Sequence, residues 1–416
     1  MNAARRARVT VVTSGHLSTC PRMLKSADAL AAEGYDVRVI ATRHEPWATE
    51  TDRDVAARRP WAAETITYRR GDSGATYWWT GARYRAARAL AALAPARAPL
   101  PLVSRAFGRV HTELVRAIAA DPGDLIYGGT TGALAAIAEA GRRCRTPYAL
   151  DLEDFHSGET GGADAPLVDA LAIRVEQAVL PGAVFVTAAS EAIAGAYRER
   201  DGLDPTVIHN TFPLPSHPPD LARVDPETLR VYWFSQTIGP GRGLEAAILA
   251  LGRAGVAGHL ALRGRPQAGY LELLTSLAAT HAPRVEVVHL QPGRPDAMVD
   301  LACGYDVGLA LEQMTPISRQ LCLTNKAFTY ILGGAAVAMT DTPGQHALGL
   351  DLGRAAALVP AGDVEALAAV FARWAGDPAA LDCAKRAAWQ AAARRWHWEH
   401  EAERGALLAL VRAGLS

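Results

Sequence analysis

The stretch RVTVVTSGHLSTCPRMLKSADALAAEGYDVRVIA, residues Arg8–Ala41, decides the reading of the fold. Its first six residues, RVTVVT, are β-branched and apolar enough to form a strand over 8–13. A helical stretch over 22–33 follows and stops at Gly34, after which YDVRVIA supplies a second strand at 37–41. Strand, helix and strand in that order make the repeating unit of a parallel sheet with helices on both faces. The alternation continues, with strand candidates at 65–68, 124–127, 147–152, 183–188 and 206–209. A second series follows at 229–235, 258–263, 285–289, 306–311 and 335–340. Between the two series lies HNTFPLPSHPPDLARVDPE, with five prolines and no period, which predicts a linker near 211–228. At 416 residues the chain also exceeds the size at which one core stops growing. The expectation is an α/β protein of two doubly wound, Rossmann-like domains.

Composition narrows the function. Lys+Arg and Asp+Glu are balanced at 43 each, whereas a general nucleic-acid binder carries a basic excess. The five cysteines, Cys20, Cys144, Cys303, Cys322 and Cys383, form no CxxC pair, which fits reduced thiols in a cytoplasmic protein. The N-terminal apolar run Val9–Val12 is too short for a signal-peptide core, and no stretch reaches 18 apolar residues. The expected location is cytoplasmic, or peripheral at the inner face of a membrane.

Two segments break the rhythm. Residues 43–64 are charged and without period, which predicts a loop with a weak helix. Residues 77–120 open on Tyr77, Trp78 and Trp79, and from Gly81 to Arg116 carry seven arginines against one acid, Glu113. That stretch reads either as an ordinary surface helix pair or as a basic, aromatic face for an anionic acceptor or a membrane surface.

Ligands of doubly wound folds sit at the carboxyl ends of the strands, so the residues just after strands come first. After the first strand come Ser14, Gly15 and His16; a glycine turn there either presents amides to a phosphate or sugar hydroxyl or is a plain turn. The absence of GxGxxG, and of an acid ending the second strand, argues against a dinucleotide site. After the first strand of the second series comes FSQTIGPGRGLE, a glycine-rich loop carrying one cation and opening a helix. Arg242 there is either a solvated turn residue or a fork for a diphosphate. The densest cluster lies between Ser318 and Gln345, where Lys326 near a helix start is placed to neutralise a leaving phosphate. Asp151, Glu153, Asp154 and His156 close a strand of the first half, which suggests groups facing a cleft. Asp151 and Glu153 form a D-x-E pair, but no third ligand lies at nearby spacing, so no metal is expected. The tail WHWEHE lacks HExxH spacing and reads as helix packing.

In order along the chain these features resemble the GT-B glycosyltransferases, and among them the retaining family 4. The opening VTSGHLSTCPRMLKSADALAAEGYDV is similar to that family's first strand, glycine loop and helix. YALDLEDFHSG resembles its active-site His-acid segment, and VEQAVLPGAVFVTAASEAI its strand ending in a serine and an acid. VIHNTF resembles its linker entry, FSQTIGPGRGLEAAI its phosphate loop, and LTNKAFTYILGGAAVAMTDTPG its Pro-Asn-Lys…Glu-Tyr…Pro-Gly run. RWHWEHEAERGALLALV resembles its terminal Trp-Glu and the helix that crosses back to the first domain.

The resemblance implies an N-terminal acceptor domain, 1–215 with the returning segment 396–416, and a C-terminal nucleotide-sugar domain, 216–395, with a cleft between them. It implies a transferase that uses a nucleotide-diphosphate sugar, retains anomeric configuration and needs no metal or other cofactor. The acceptor would be a glycan, a lipid-linked sugar or a small molecule. Donor contacts would come from Gly15, His16, Gln236, Gly239, Arg242, Asn325, Lys326 and Thr329, and catalytic groups from Glu153, Asp154 and His156. The chain departs from the pattern at several of these. Gln236 stands where a phosphate-binding Arg is common, and Thr329 where a Glu usually holds the ribose; that Glu's partner would fall near Leu321. Glu153 occupies the usual His position, with His156 displaced by two or three residues. A sugar-nucleotide epimerase and a non-catalytic binding protein of the same fold are the rival readings.

Overall fold

The structure, a computed structural model, describes residues 6–71, 74–222 and 227–416. Residues 1–5 ahead of the first strand and residues 223–226 of the expected linker lie outside the described residues, as do 72–73. Two compact units form, one of residues up to His209 together with Arg404–Ser416, the other of Asn210–Glu403.

The first unit holds the strands β1 (Arg8–Thr13), β2 (Asp36–Arg43), β3 (Ala62–Thr67), β4 (Leu125–Gly129), β5 (Tyr148–Leu152), β6 (Val186–Ala188) and β7 (Thr206–Val207). Among the described residues they form one sheet in the order β3-β2-β1-β4-β5-β6-β7. All the pairings are parallel, Val11 lying opposite Val39 on one side and Tyr127 on the other. Val9, Val11, Val12, Ile126 and Leu150 have no exposed surface. Helices cover both faces of such a sheet, so its strands read as continuous apolar runs rather than alternating ones.

The second unit holds β8 (Leu229–Ile238), β9 (Gly258–Pro266), β10 (Val285–Leu290), β11 (Val307–Ala310), β12 (Ala336–Thr340) and β13 (Ala356–Val359), in the order β10-β9-β8-β11-β12-β13. Side chains of β8 alternate between two cores, as successive residues of a strand must. Val231 and Trp233 pack with Leu244, Ile248 and Phe371 on one face. Tyr232 and Phe234 pack with Tyr330 and Met339 on the other. Tyr330 lies directly on Gly308 of β11, where a Cβ would come within 2.1 Å of the ring, and its hydroxyl donates to Leu309 O at 3.1 Å. That contact seats the helix Asn325–Leu332 on β11, and with it the start of the helix beside the strand's outgoing end.

Several expectations need correction. Residues 43–64 are not a loop with a weak helix: Ala48–Ala57 is a full helix burying Ala48, Asp52 and Val55, and β3 already starts at Ala62. The stretch 77–120 lies in three helices, Gly74–Ala92, Leu100–Phe107 and His111–Ala120, not two. At the start of the expected linker, Asn210, Thr211 and Phe212 are buried. The tail WHWEHE packs, but residues 396–400 are turns following the helix Pro378–Arg394 and not a helix, with the Trp396 indole donating to Asp351 at 2.7 Å and the Trp398 amide to Phe212 O at 2.8 Å. The last helix, Ala406–Leu415, buries Leu407, Leu408 and Val411 within the first unit.

Candidate functional site

In the second unit the glycine-rich loop after β8 turns at Gly241 and Gly243, whose φ angles of 71° and 74° suit glycine, and opens the helix Leu244–Arg253. A Cβ at Gly243 would sit 2.7 Å from that of Leu311, so the loop lies tight against the chain leaving β11. That chain continues to Glu312, a carboxylate with 6% of its surface exposed. Lys326 Nζ lies 3.1 Å from Glu312 Oε1 and 3.2 Å from Thr324 Oγ1, and about as far as a cation–π contact reaches from Trp233, at 5.9 Å. Arg319 Nη1 lies 3.2 Å from Glu312 Oε2. Burial alone would raise the Glu312 pKa, but Lys326, Arg319 and Arg242 together hold it down at about 2. Arg242 in turn is lowered by burial and by the like charge of Arg319. Three cations therefore converge on one carboxylate, and the cluster keeps a positive excess.

Gln345 braces the neighbouring strand ends, its Nε2 donating to Ala310 O at 3.0 Å and Thr340 O at 2.9 Å. The hydroxyl of Thr342 and Oε1 of Gln345 are buried without a hydrogen-bond partner. A shallow cavity beside them is lined by Gly243, Leu311, Gln313, Thr340, Val359 and Asp363.

Other donor candidates fall differently. Gly239 is buried against Gln267, Gln236 is exposed on β8 where its register with β9 shifts, and Asn325 is half-buried at the helix start. Thr329 needs correction as a ribose ligand: it is fully buried, and its hydroxyl donates back to Asn325 O at 3.2 Å. His16 needs the same correction. It is 2% exposed; Nδ1 meets Asp52 at 2.7 Å, while Nε2 accepts from the amides of His44 and Glu45 at 3.2 and 2.9 Å. An imidazole so committed pins the loops after β1 and β2 and has no nitrogen left for a ligand. Gly15 beside it is tightly packed, a Cβ falling 2.7 Å from Cys20 Sγ.

In the first unit Asp151 ends β5 without exposed surface, gripped by Arg22 through Nε and Nη2 at 2.7 Å each. Both of its oxygens are thus engaged by Arg22. Among the described residues no group of three or more His, Cys, Asp or Glu is arranged to hold a metal ion. Glu153, half-buried, is pushed up to about 7 by burial and by Asp154 and Asp151, against the pull of Arg22 and Lys25. His156 sits in a 3-10 turn, its Nδ1 at 3.2 Å from both Thr131 Oγ1 and Glu159 Oε2. Burial opposes its charge, yet Glu159, Glu176 and Asp154 raise it to about 9. Its Nε2 is buried and unpartnered. Arg200 steadies this turn by donating to Ser157 at 2.5 Å and Glu176 at 2.7 Å.

Glu153 carries a testable consequence. Its folded value of about 7 exceeds the ordinary 4.5, so the proton it keeps supports the fold below 4.5, and that support is lost as pH rises through 7. Glu153→Gln should therefore match the native chain in acid but exceed it in stability above pH 7, by roughly 1–2 kcal/mol after screening. Thermal melts across pH read this directly; parallel curves would refute it.

Sequence reasoning missed Glu312, Glu159 and Arg200. Glu312 was findable, because DVGLALE closes a strand on a carboxylate just as YALDLED does. Glu159 and Arg200 carry no such signal, since only the fold brings them to His156.

A parallel sheet in each unit, of seven and six strands with helices between them, defines the class: this is the GT-B fold. Residues 20–211 match the family described as glycosyl transferase 4-like domain. No curated protein matches the sequence. Solved structures of the same fold include HepE from Anabaena in complex with UDP and glucose, 17% identical with a TM-score of 0.65, covering 99% of both chains. A glycosyltransferase from Rickettsia africae is 10% identical with a TM-score of 0.66, covering 98% of this chain and 99% of its own. Sucrose-phosphate synthase from Thermosynechococcus elongatus is 15% identical with a TM-score of 0.65, covering 98% of each. The chain has the GT-B fold, and residues 20–211 of its first unit are similar to a glycosyl transferase 4-like domain.

Proposed function

We propose that the chain transfers a sugar from a nucleotide-diphosphate sugar to an acceptor, with the donor held by the second unit. The convergence of Arg242, Arg319 and Lys326 on Glu312 carries this reading. A diphosphate would bring several acceptor oxygens to cations already gathered by one carboxylate, and Lys326 would offset the charge that grows on the departing phosphate. The amides of the Gly239–Gly243 loop and the unpartnered Thr342 hydroxyl lie in the same region of the second unit and would add donors. Glu153, Asp154 and His156 of the first unit would position sugar or acceptor. His156 is best suited to hold an anion or a hydroxyl, since it stays charged to about pH 9. The UDP complex of HepE, which shares the fold, supports a uridine donor. Transfer with retention is part of the same proposal, as is independence of a divalent metal, the latter supported by the bidentate engagement of Asp151 by Arg22.

Calorimetry with UDP and a panel of other nucleoside diphosphates tests the donor site. Arg242→Ala should weaken binding by about 1.5–3 kcal/mol, the worth of a charge-assisted hydrogen bond; an unchanged affinity would refute the site. Product analysis with the matching sugar nucleotide separates transfer from epimerisation and from binding alone. Turnover should survive chelation, and its loss with recovery on added magnesium would overturn the metal-free reading.

A further inference from the structure

The helix Gly74–Ala92 buries Thr80, Gly81, Ala87 and Ala91 and turns its opposite side to solvent. At 100° per residue, Trp79, Ala82, Ala86, Leu90 and Leu93 (the last just past the helix end) fall on one stripe, with Trp78 and Ala89 along its flank. The stripe is open: Trp78 is 57% exposed, Trp79 69%, Leu90 57% and Leu93 82%. A folded chain does not usually leave two tryptophans and two leucines together in water unless something covers them. We infer that this face docks on an anionic lipid surface, the helix lying in the plane of the interface with both tryptophans among the headgroups.

Charge selects the occupant. From Gly74 to Phe107 the sequence has five arginines and no acid. Of these Arg83 is spent internally on Glu113 at 2.5 Å. Arg109 likewise lies between Tyr68 and Tyr77, at 5.0 and 4.6 Å from their rings. Arg85 and Arg97 remain exposed on and beyond the helix, and the Arg70 guanidinium sits 5.7 Å from the Trp78 ring. A second copy of the chain seated on this face would set arginines against arginines. A phospholipid surface supplies the opposite charge for the rim and an apolar layer for the stripe, and tryptophan favours that boundary because its ring is apolar and its N–H polar. Among the described residues no helix is long and apolar enough to cross a membrane, so contact is by lying on the surface.

The inference does not depend on the transfer reaction and is read without it. The intact chain is sedimented with vesicles of phosphatidylcholine alone and of phosphatidylcholine with phosphatidylglycerol. It should partition onto the anionic vesicles, roughly tenfold less onto the neutral ones, and less again at high salt. Trp78→Ser with Trp79→Ser should lower partition by roughly tenfold or more while UDP binding and the melting temperature hold. Should that variant fold poorly, Leu90→Ser with Leu93→Ser gives the same reading from the other end of the stripe. Failure of the intact chain to bind anionic vesicles, or equal binding by a well-folded variant, overturns the inference. So does a concentration-dependent dimer that the tryptophan variant abolishes.

Discussion

Replacing Lys326 by Met is expected to lower the stability of the second unit by about 3 kcal/mol, and to cost nucleotide affinity as well. Glu312 is buried and charged, and its largest electrostatic support is Lys326. Removing one member of a buried pair leaves a charge without water or partner, which typically costs about 3–5 kcal/mol. The lower end applies because Arg319 and Arg242 remain near the carboxylate. The acid limb of the stability curve should move too. In the native chain Glu312 titrates at about 2 against an ordinary 4.5, so its contribution is present above 4.5 and is lost as pH falls toward 2. In the variant that loss should begin at higher pH. Glu312→Gln added to Lys326→Met removes the stranded charge, and the double variant should recover more than half the lost stability. Nucleotide binding should not recover, because the cation that meets phosphate is still missing. Chemical denaturation and calorimetry on the native chain and the two variants separate the roles. Stability restored together with affinity would mean that Lys326 acts on the nucleotide only through the fold.

The two sheets were legible because parallel strands covered on both faces leave unbroken apolar runs that no other element imitates, as with RVTVVT and LRVYWFS. β13 was not, since AALV between alanines and a proline has too little β-branched character to separate from the helices around it. Two cations of the cluster around Glu312, Arg242 and Lys326, were visible because each sits where a loop opens a helix. Their partner Glu312 was invisible as a partner, because the chain between positions fourteen apart, including a short helix at Ile317–Leu321, must fold back before carboxylate and amine meet. His16 and Thr329 illustrate the opposite failure. Position relative to a strand or a helix suggested ligand contact, but hydrogen bonds to Asp52 and to Asn325 O, which sequence cannot display, had already claimed their polar atoms.

The second large effect is expected at Asp151. Its carboxylate receives Arg22 through two nitrogens at 2.7 Å, as well as the Thr187 hydroxyl, and Arg22 also donates to Ile208 O. One pair thus ties the start of the helix Pro21–Ala32 to β5, β6 and the chain leaving β7. Arg22 is 3% exposed and Asp151 not at all, so neither charge can find water if the other is removed. Asp151→Ala should therefore destabilise the first unit by about 3–5 kcal/mol, enough to take much of the stability of a typical domain. The conservative Asp151→Asn should recover little, because an amide offers Arg22 one acceptor oxygen where the carboxylate offered two. Replacing both partners, Arg22→Met with Asp151→Leu, should return most of the loss, since a well-packed apolar pair avoids the desolvation that the ions must overcome. Denaturation of the three variants measures this. With the nucleotide held by the second unit, as proposed above, UDP affinity of the folded fraction should stay unchanged. A single substitution that abolished UDP binding without unfolding would place Asp151 in the reaction rather than in the frame.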